Sequence, residues 1–392
     1  MQSRLVGPRQ VTLADPGSLR LPQLDSLTGL RFLAAYLVLL QHIQNFAVIP
    51  VLAPYTLGAA GVSFFFVLSG FVLTWSFFPG DTARRFYWRR FARIWPLHVT
   101  ALLIAIPVFS YGRHLGMDWS TIAMSLLLLH AWSTAPTTYF GGNPTSWTLS
   151  CEAFFYAVHP FIVRRILRWR PGVLAGGAAA ILGYLYATPQ LLHGHLATST
   201  FVWFTYVSPG YRVGEFVLGV LLAAGLRHRV RVRIGLVPAL AAALAWIVFI
   251  FGYADRTSQG VQDLVYGLHR AMLPLLFAVV IAAAAQRDLD GRRSWLRRPT
   301  MVRLGRWSYA FYLVHATIVQ VLILRLGHQP PGNRNLGWLL AVSVAAVAVS
   351  AGLYYAVEHP LEGWLRARQR SRPAPEAVIG SPQSGAPASG PA

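Results

Sequence analysis

Apolar runs of membrane-spanning length recur along this chain, separated by short connections rich in Arg, Gly and Pro. Ten runs stand out, at 29–47, 59–78, 94–110, 147–163, 173–189, 210–226, 234–252, 270–286, 307–325 and 337–356. Crossing the hydrocarbon core of a bilayer as a helix takes ~20 mostly apolar residues. The pattern therefore predicts an all-α fold, a polytopic membrane helix bundle of about ten transmembrane helices. One further run, 121–132, is apolar but short. It reads as a re-entrant or interfacial helix, which is tolerated where protein covers it.

Composition agrees. Of 392 residues 55% are hydrophobic and only 12% charged, and mean hydropathy is +0.47. Soluble domains carry roughly 25% charge. The formal net charge of +21 comes from 34 basic residues, all of them Arg. With an inside N-terminus, 27 of the 34 fall in inner segments: before residue 21, at 84–93, 164–170, 227–233, 287–306 and 366–372. That asymmetry orients membrane helices and predicts cytoplasmic termini. It leaves no contiguous basic face, so no nucleic acid is expected as a partner; the lipid bilayer is. The single Cys151 excludes an intramolecular disulfide or a Cys-based metal cluster. Residues 1–28 lack the features of a cleavable signal peptide. The expected organisation is a polar cytoplasmic segment over 1–21, one transmembrane domain over 22–365 and a disordered cytoplasmic tail over 366–392, in the cell (plasma) membrane. Outer loops 133–146 and 190–209 are nearly uncharged and aromatic.

Arg31 and His42 lie inside the first run. Ionisable groups there are costly and point to function. Eleven residues of helix return to within about 20° of the same direction and rise about 16 Å, so both groups share one face. His42 suits general-base work at neutral pH, and a fixed Arg suits phosphate or developing negative charge.

Gly58 to Phe71 opens the second run with small residues and includes Ser69; these permit close helix packing or leave room for a ligand. Arg84 to Pro96 interleaves Arg84, Arg85, Arg89, Arg90 and Arg93 with aromatics. It reads as a lipid anchor, a dock for a polyanionic cofactor, or both. Ser146 to Tyr156 places Glu152 near the start of the fourth run, where it can orient His42, accept a substrate hydroxyl or pair with Arg31. Cys151 reads as an inert core thiol. Arg212 and Glu215 are three apart and suit an internal salt bridge. Ser308, Tyr312 and His315 share one face of the ninth run, where they line a cavity or, for His315, fill the core.

Together these pieces resemble the acyltransferase 3 family of integral membrane O-acyltransferases. The matching stretches are Asp25 to Arg31 with His42, Gly58 to Phe71, Arg89 to Pro96, Ser146 to Tyr156, Arg212 to Gly219, Ser308 to His315, and Glu358-His359-Pro360. They occur in the family's order and cover about 22 to 362. The resemblance implies a ten-helix bundle that takes an acyl group, commonly acetyl, from cytoplasmic acyl-CoA. The acceptor is a hydroxyl, usually on a saccharide and sometimes on a natural product. The family's Arg and His fall on Arg31 and His42, with His as the base. Three departures stand out: Leu97-His98 after Pro96 where Tyr is common, His359 where Arg or Lys is common, and no SGNH-type hydrolase domain after the bundle. The last implies a standalone enzyme or one with a separate partner.

The expected site thus has His42, Arg31 and Glu152 as catalytic residues. Arg31, Arg89, Arg90 and Arg93 bind acetyl-CoA or another acyl-CoA. Ser69, Tyr156, Tyr312 and His315 line the cavity of a saccharide or natural-product acceptor, and no metal is called for. Two rivals remain at this point. A transporter or flippase would use the polar groups as a substrate path, though the internal symmetry many transporters carry is not visible. A membrane cytochrome would ligate haem through some of His42, His98, His130, His159 and His315.

Overall fold

The computed structural model describes residues 21–53, 55, 57–111, 118–253 and 258–370. Residues before 21 and from 371 lie outside the described residues; the expected disordered tail over 366–392 begins within a helix that runs to Arg370. Among those described, the chain is helical. The strand-like pairing consists of an isolated bridge between Ala47 and Gln329.

The principal helices are α1 (Asp25–His42), α2 (Leu57–Trp75), α3 (Ala83–Ile106), α4 (Trp119–Leu126), α5 (Pro136–Tyr139), α6 (Trp147–Ile166), α7 (Pro171–Leu192), α8 (Thr198–Val202), α9 (Pro209–Arg227), α10 (Leu236–Tyr253), α11 (Gln259–Leu289), α12 (Pro299–Leu326), α13 (Asn335–Leu353) and α14 (His359–Arg370). All ten predicted runs are helical. Eight described segments are long and apolar enough to cross a membrane, rather than ten. The other two differ for separate reasons. Helix α6 carries Glu152, His159, Arg164 and Arg165 within its length, and α10 continues as an apolar helix only over Leu236–Gly252. Helix α4 has eight residues, about 12 Å of rise, far short of a crossing. It ends at Leu126, and two residues on Leu128, with a φ of 57°, turns the chain off the helical path.

The centre of the bundle is the crossing of α2 and α9, with α1 packed between α2 and α12. The crossing is close because Gly70 and Gly219 face each other's helix. A Cβ on Gly219 would run into the Val67 carbonyl, and one on Gly70 into the Phe216 carbonyl. Small residues let helices approach this closely inside a membrane, where van der Waals contact replaces the hydrophobic drive. Gly219→Ala is expected to destabilise the protein by about 1–3 kcal/mol, the cost of overpacking. Gly176→Ala, on open α7 surface with nothing within 4 Å, should leave the thermal midpoint in detergent unchanged. Equal midpoints for the two variants would refute the close crossing.

A buried ion pair reinforces the same contact. Arg212 Nη1 lies 2.7 Å from Glu215 Oε1, which also accepts from Ser63 Oγ on α2 at 2.9 Å. The Arg212 guanidinium sits over the Phe66 ring at 5.2 Å. Apolar side chains on α13 and α7 face outward instead, among them Leu340, Val344 and Leu191. Exposed apolar surface of that extent suits lipid rather than water.

Helix α1 is anchored at its start by another helix. The Ser26 backbone N–H donates to Asp288 Oδ2 at 2.8 Å, and Ser26 Oγ to Asp288 Oδ1 at 2.6 Å. Asp288 thus satisfies a free amide of the first turn. At the far end α1 runs into a single 3-10 turn, Ile43–Asn45. Both ends of the segment carrying Arg31 and His42 are therefore fixed.

Candidate active site

Five helices enclose a cavity of about 130 Å3. Helix α1 contributes Arg31 and α3 contributes Arg90 and Arg93. Helix α6 presents Thr148, Glu152 and Tyr156, while α12 presents Ser308, Tyr309 and Tyr312. The α2 wall is apolar apart from Ser69, with Phe65, Phe66 and Leu68 among its members. Helical periodicity explains the choice: Thr148, Glu152 and Tyr156 recur every four residues, and Arg90 and Arg93 are three apart, so each set shares a face.

The cations differ in what holds them. Arg93 is neutralised by the last helices, its Nη1 lying 2.5 Å from Glu358 Oε1 and 3.0 Å from Glu362 Oε2. Its guanidinium also lies 5.8 Å from the centre of the Tyr309 ring. Arg90 stands 5.7 Å and 6.0 Å from the Phe86 and Tyr156 ring centres, and its buried Nε has no hydrogen-bond partner. Arg31 makes no hydrogen bond or ion pair to the described residues. The carboxylate in this wall, Glu152, accepts from Tyr156 OH at 3.2 Å. Two guanidinium groups without ion pairs therefore face one carboxylate.

Beyond the cavity stands a histidine pair. Tyr312 OH is 3.0 Å from Thr148 Oγ1, and its ring lies 5.8 Å from that of His315. His315 Nε2 is 3.2 Å from His42 Nδ1, with the rings edge-on at 5.0 Å. His42 is half-buried and His315 fully buried.

The structure gathers Arg31, Arg90, Arg93, Glu152, Ser69, Tyr156 and Tyr312 into one wall, and adds Ser308. It places three expected residues elsewhere. His315 does not line the cavity; one helical turn carries it past Tyr312 to His42. His42 also lies outside the lining, reached through that pair. Arg89 turns away from the cavity and is gripped by Asp81, with Nη1 at 3.0 Å from Oδ1. Of the roles open to Glu152, orienting His42 is not realised, since its hydrogen bond is to Tyr156. Cys151 is buried with Sγ 3.2 Å from the Val207 carbonyl. The other candidate haem ligands have separate partners: His98 the Ser125 carbonyl at 2.9 Å, His130 the Ser146 hydroxyl at 3.2 Å, and His159 Thr74 Oγ1 at 3.2 Å. Among the described residues no group of three or more His, Cys, Asp or Glu side chains is placed to hold a metal.

Sequence reasoning missed Tyr309 and the use of Glu358. Tyr309 OH donates to the Ile94 carbonyl at 2.8 Å, and the residue sits one position from the predicted Ser308 face. The stripe drawn through 308, 312 and 315 was too narrow for a cavity wall. Glu358 belongs to a recognised motif, but its partner Arg93 is 265 positions away, a separation no local pattern reveals.

The acyltransferase domain family model matches residues 24–355. The chain is similar to acyltransferase MdmB of Streptomyces mycarofaciens, 37% identical over 91% of this chain and 96% of that protein. It is also similar to nodulation protein 10 of Rhizobium leguminosarum bv. viciae, 27% identical over 77% of this chain and 82% of the relative. The exopolysaccharide production protein ExoZ of Rhizobium meliloti (strain 1021) is 26% identical over 80% of this chain and 93% of its own length. No solved structure matches. The chain belongs to the acyltransferase domain family, and it is a membrane acyltransferase that transfers groups other than aminoacyl groups.

Proposed function

We propose that the protein moves an acetyl group from acetyl-CoA to a hydroxyl of a saccharide or of a glycosylated or polyketide natural product. The observation that carries this reading is the pair Arg31 and Arg90, two guanidinium groups without ion pairs at one cavity. Both are half-buried, and leaving such charges unpaired inside a membrane bundle is costly unless an anion completes the site. A phosphate-bearing donor supplies one, and guanidinium groups match phosphate in a bidentate way. In this reading a phosphate of the donor meets Arg31 and Arg90, and the thioester arm extends from there toward His42. The exposed Arg84 and Arg85 of α3 meet the remaining phosphates outside.

The saccharide class draws support from the relative named for exopolysaccharide production. For the topology we propose that α6 and α10 cross as well, giving ten spans in the plasma membrane with both termini cytoplasmic. The distribution of Arg supports this orientation, and it puts Arg31 on the side that holds acyl-CoA.

In the proposed reaction the acceptor hydroxyl attacks the thioester carbonyl while His42 Nε2 takes its proton. The C–S bond breaks, CoA leaves as the thiolate, and the proton on His42 passes to sulfur. Membranes containing the protein, given radiolabelled acetyl-CoA and a panel of saccharide and glycosylated polyketide acceptors, are expected to form a labelled ester that mild alkali removes. Unlabelled acceptors throughout, with acetyl-CoA intact, would overturn the reading.

A further inference from the structure

We infer that His315 is a positioning residue that holds His42 as the Nδ1–H tautomer and so leaves His42 Nε2 bare to act as the base. The inference rests on the reading of His42 as the base and adds how that base is prepared.

Two backbone carbonyls set the direction of the hydrogen bonds. His315 Nδ1 lies 3.1 Å from the Phe311 carbonyl, one turn back on α12. A carbonyl only accepts, so the His315 proton is on Nδ1 and its Nε2 presents a lone pair. That lone pair faces His42 Nδ1 at 3.2 Å. His42 Nδ1 in turn lies 2.9 Å from the Val38 carbonyl, one turn back on α1. It therefore meets two acceptors and no donor, and the arrangement is satisfied only when Nδ1 carries the hydrogen. The reverse polarity would set a lone pair against a carbonyl oxygen at both residues. In a neutral imidazole one nitrogen donates and the other accepts, so Nε2 of His42 is free to take a proton.

The Val38 carbonyl alone would favour the same tautomer. His315 adds a second acceptor on a rigid element and fixes the ring plane. Its ring is stacked on Phe311 at 6.0 Å and set edge-on to His42. When His42 becomes an imidazolium, its Nδ1–H strengthens the bond to the His315 lone pair. This is the task that a buried carboxylate performs behind the base in hydrolase triads, done here by a neutral ring.

The test uses full-length protein with 15N-labelled histidine in bilayers. Solid-state NMR distinguishes protonated from bare ring nitrogens, and subtracting the His42→Ala spectrum isolates His42. The expected wild-type result is a protonated Nδ1 and a bare Nε2. His315→Leu should yield mixed tautomers and lower kcat at least tenfold, with KM for acetyl-CoA little changed. His315→Gln, which keeps an acceptor, should restore most of both. A proton on Nε2 in the wild type would overturn the inference, and so would an unchanged His42 spectrum in His315→Leu. If His315→Leu does not fold, the wild-type and Gln spectra decide. Wild-type transfer by His42→Ala would instead overturn the base assignment, whatever the spectra show.

Discussion

His42→Ala is expected to reduce kcat by about 10²–10⁴-fold, the usual contribution of a positioned general base, while leaving KM for acetyl-CoA near the wild-type value. The split follows from position. His42 closes α1 about 16 Å beyond Arg31, on the far side of Tyr312 and His315 from the cationic part of the cavity. Nothing in the proposed donor-binding wall depends on its ring. The Ala variant keeps a good helix former at the end of α1, so the fold survives. It strands the His315 Nε2 lone pair without its donor, at a cost of about 1–3 kcal/mol, so the thermal midpoint must be read alongside the rate. A folded His42→Ala protein with an unreduced kcat would remove His42 from the chemistry.

Arg31→Gln has the second largest expected effect, and it acts on binding. A hydrogen bond to a charged group contributes about 1.5–3 kcal/mol, which converts to a rise of roughly 10- to 150-fold in KM for acetyl-CoA. Arg31→Lys should fall between, since it keeps the charge and loses the planar fork. Stability should move the other way. Arg31 has no ion pair to lose, so removing a half-buried charge is expected to raise the thermal midpoint in the absence of donor. A structural arginine such as Arg212, held by Glu215 at 2.7 Å, would show the opposite. A lower midpoint and an unchanged KM for Arg31→Gln would make Arg31 a structural residue and remove the main support for a phosphate-bearing donor.

Much of the site was legible because it repeats at helical spacing. Thr148, Glu152 and Tyr156 fall every four residues, and Arg90 and Arg93 three apart, so each helix declared its polar face in one dimension. Arg89 has the same chemistry as its neighbours and was legible only as a type; the direction of its side chain depended on Asp81. His315 was read as sharing a face with Tyr312, and it does. The cavity simply ends before that face does, and where it ends is decided by which other helices approach.

A membrane helix bundle, the course of its helices and the polar faces they carry are all readable from local sequence. Apolar length and helical periodicity are properties of neighbouring residues and need no partner to be expressed. The family was also readable, since its motifs lie in order along the chain. Which polar groups meet depends on how the helices pack. Arg93 with Glu358, Ser26 with Asp288, and His42 with His315 are joined across 265, 262 and 273 positions. In each case the partner depends on which helices pack side by side; α1 and α12, for example, approach closely at Gly305, where a Cβ would run into the Thr28 carbonyl. The helix face carrying Arg31 and His42 was visible from the start. That one end meets an open cation site and the other a second imidazole required the bundle to close.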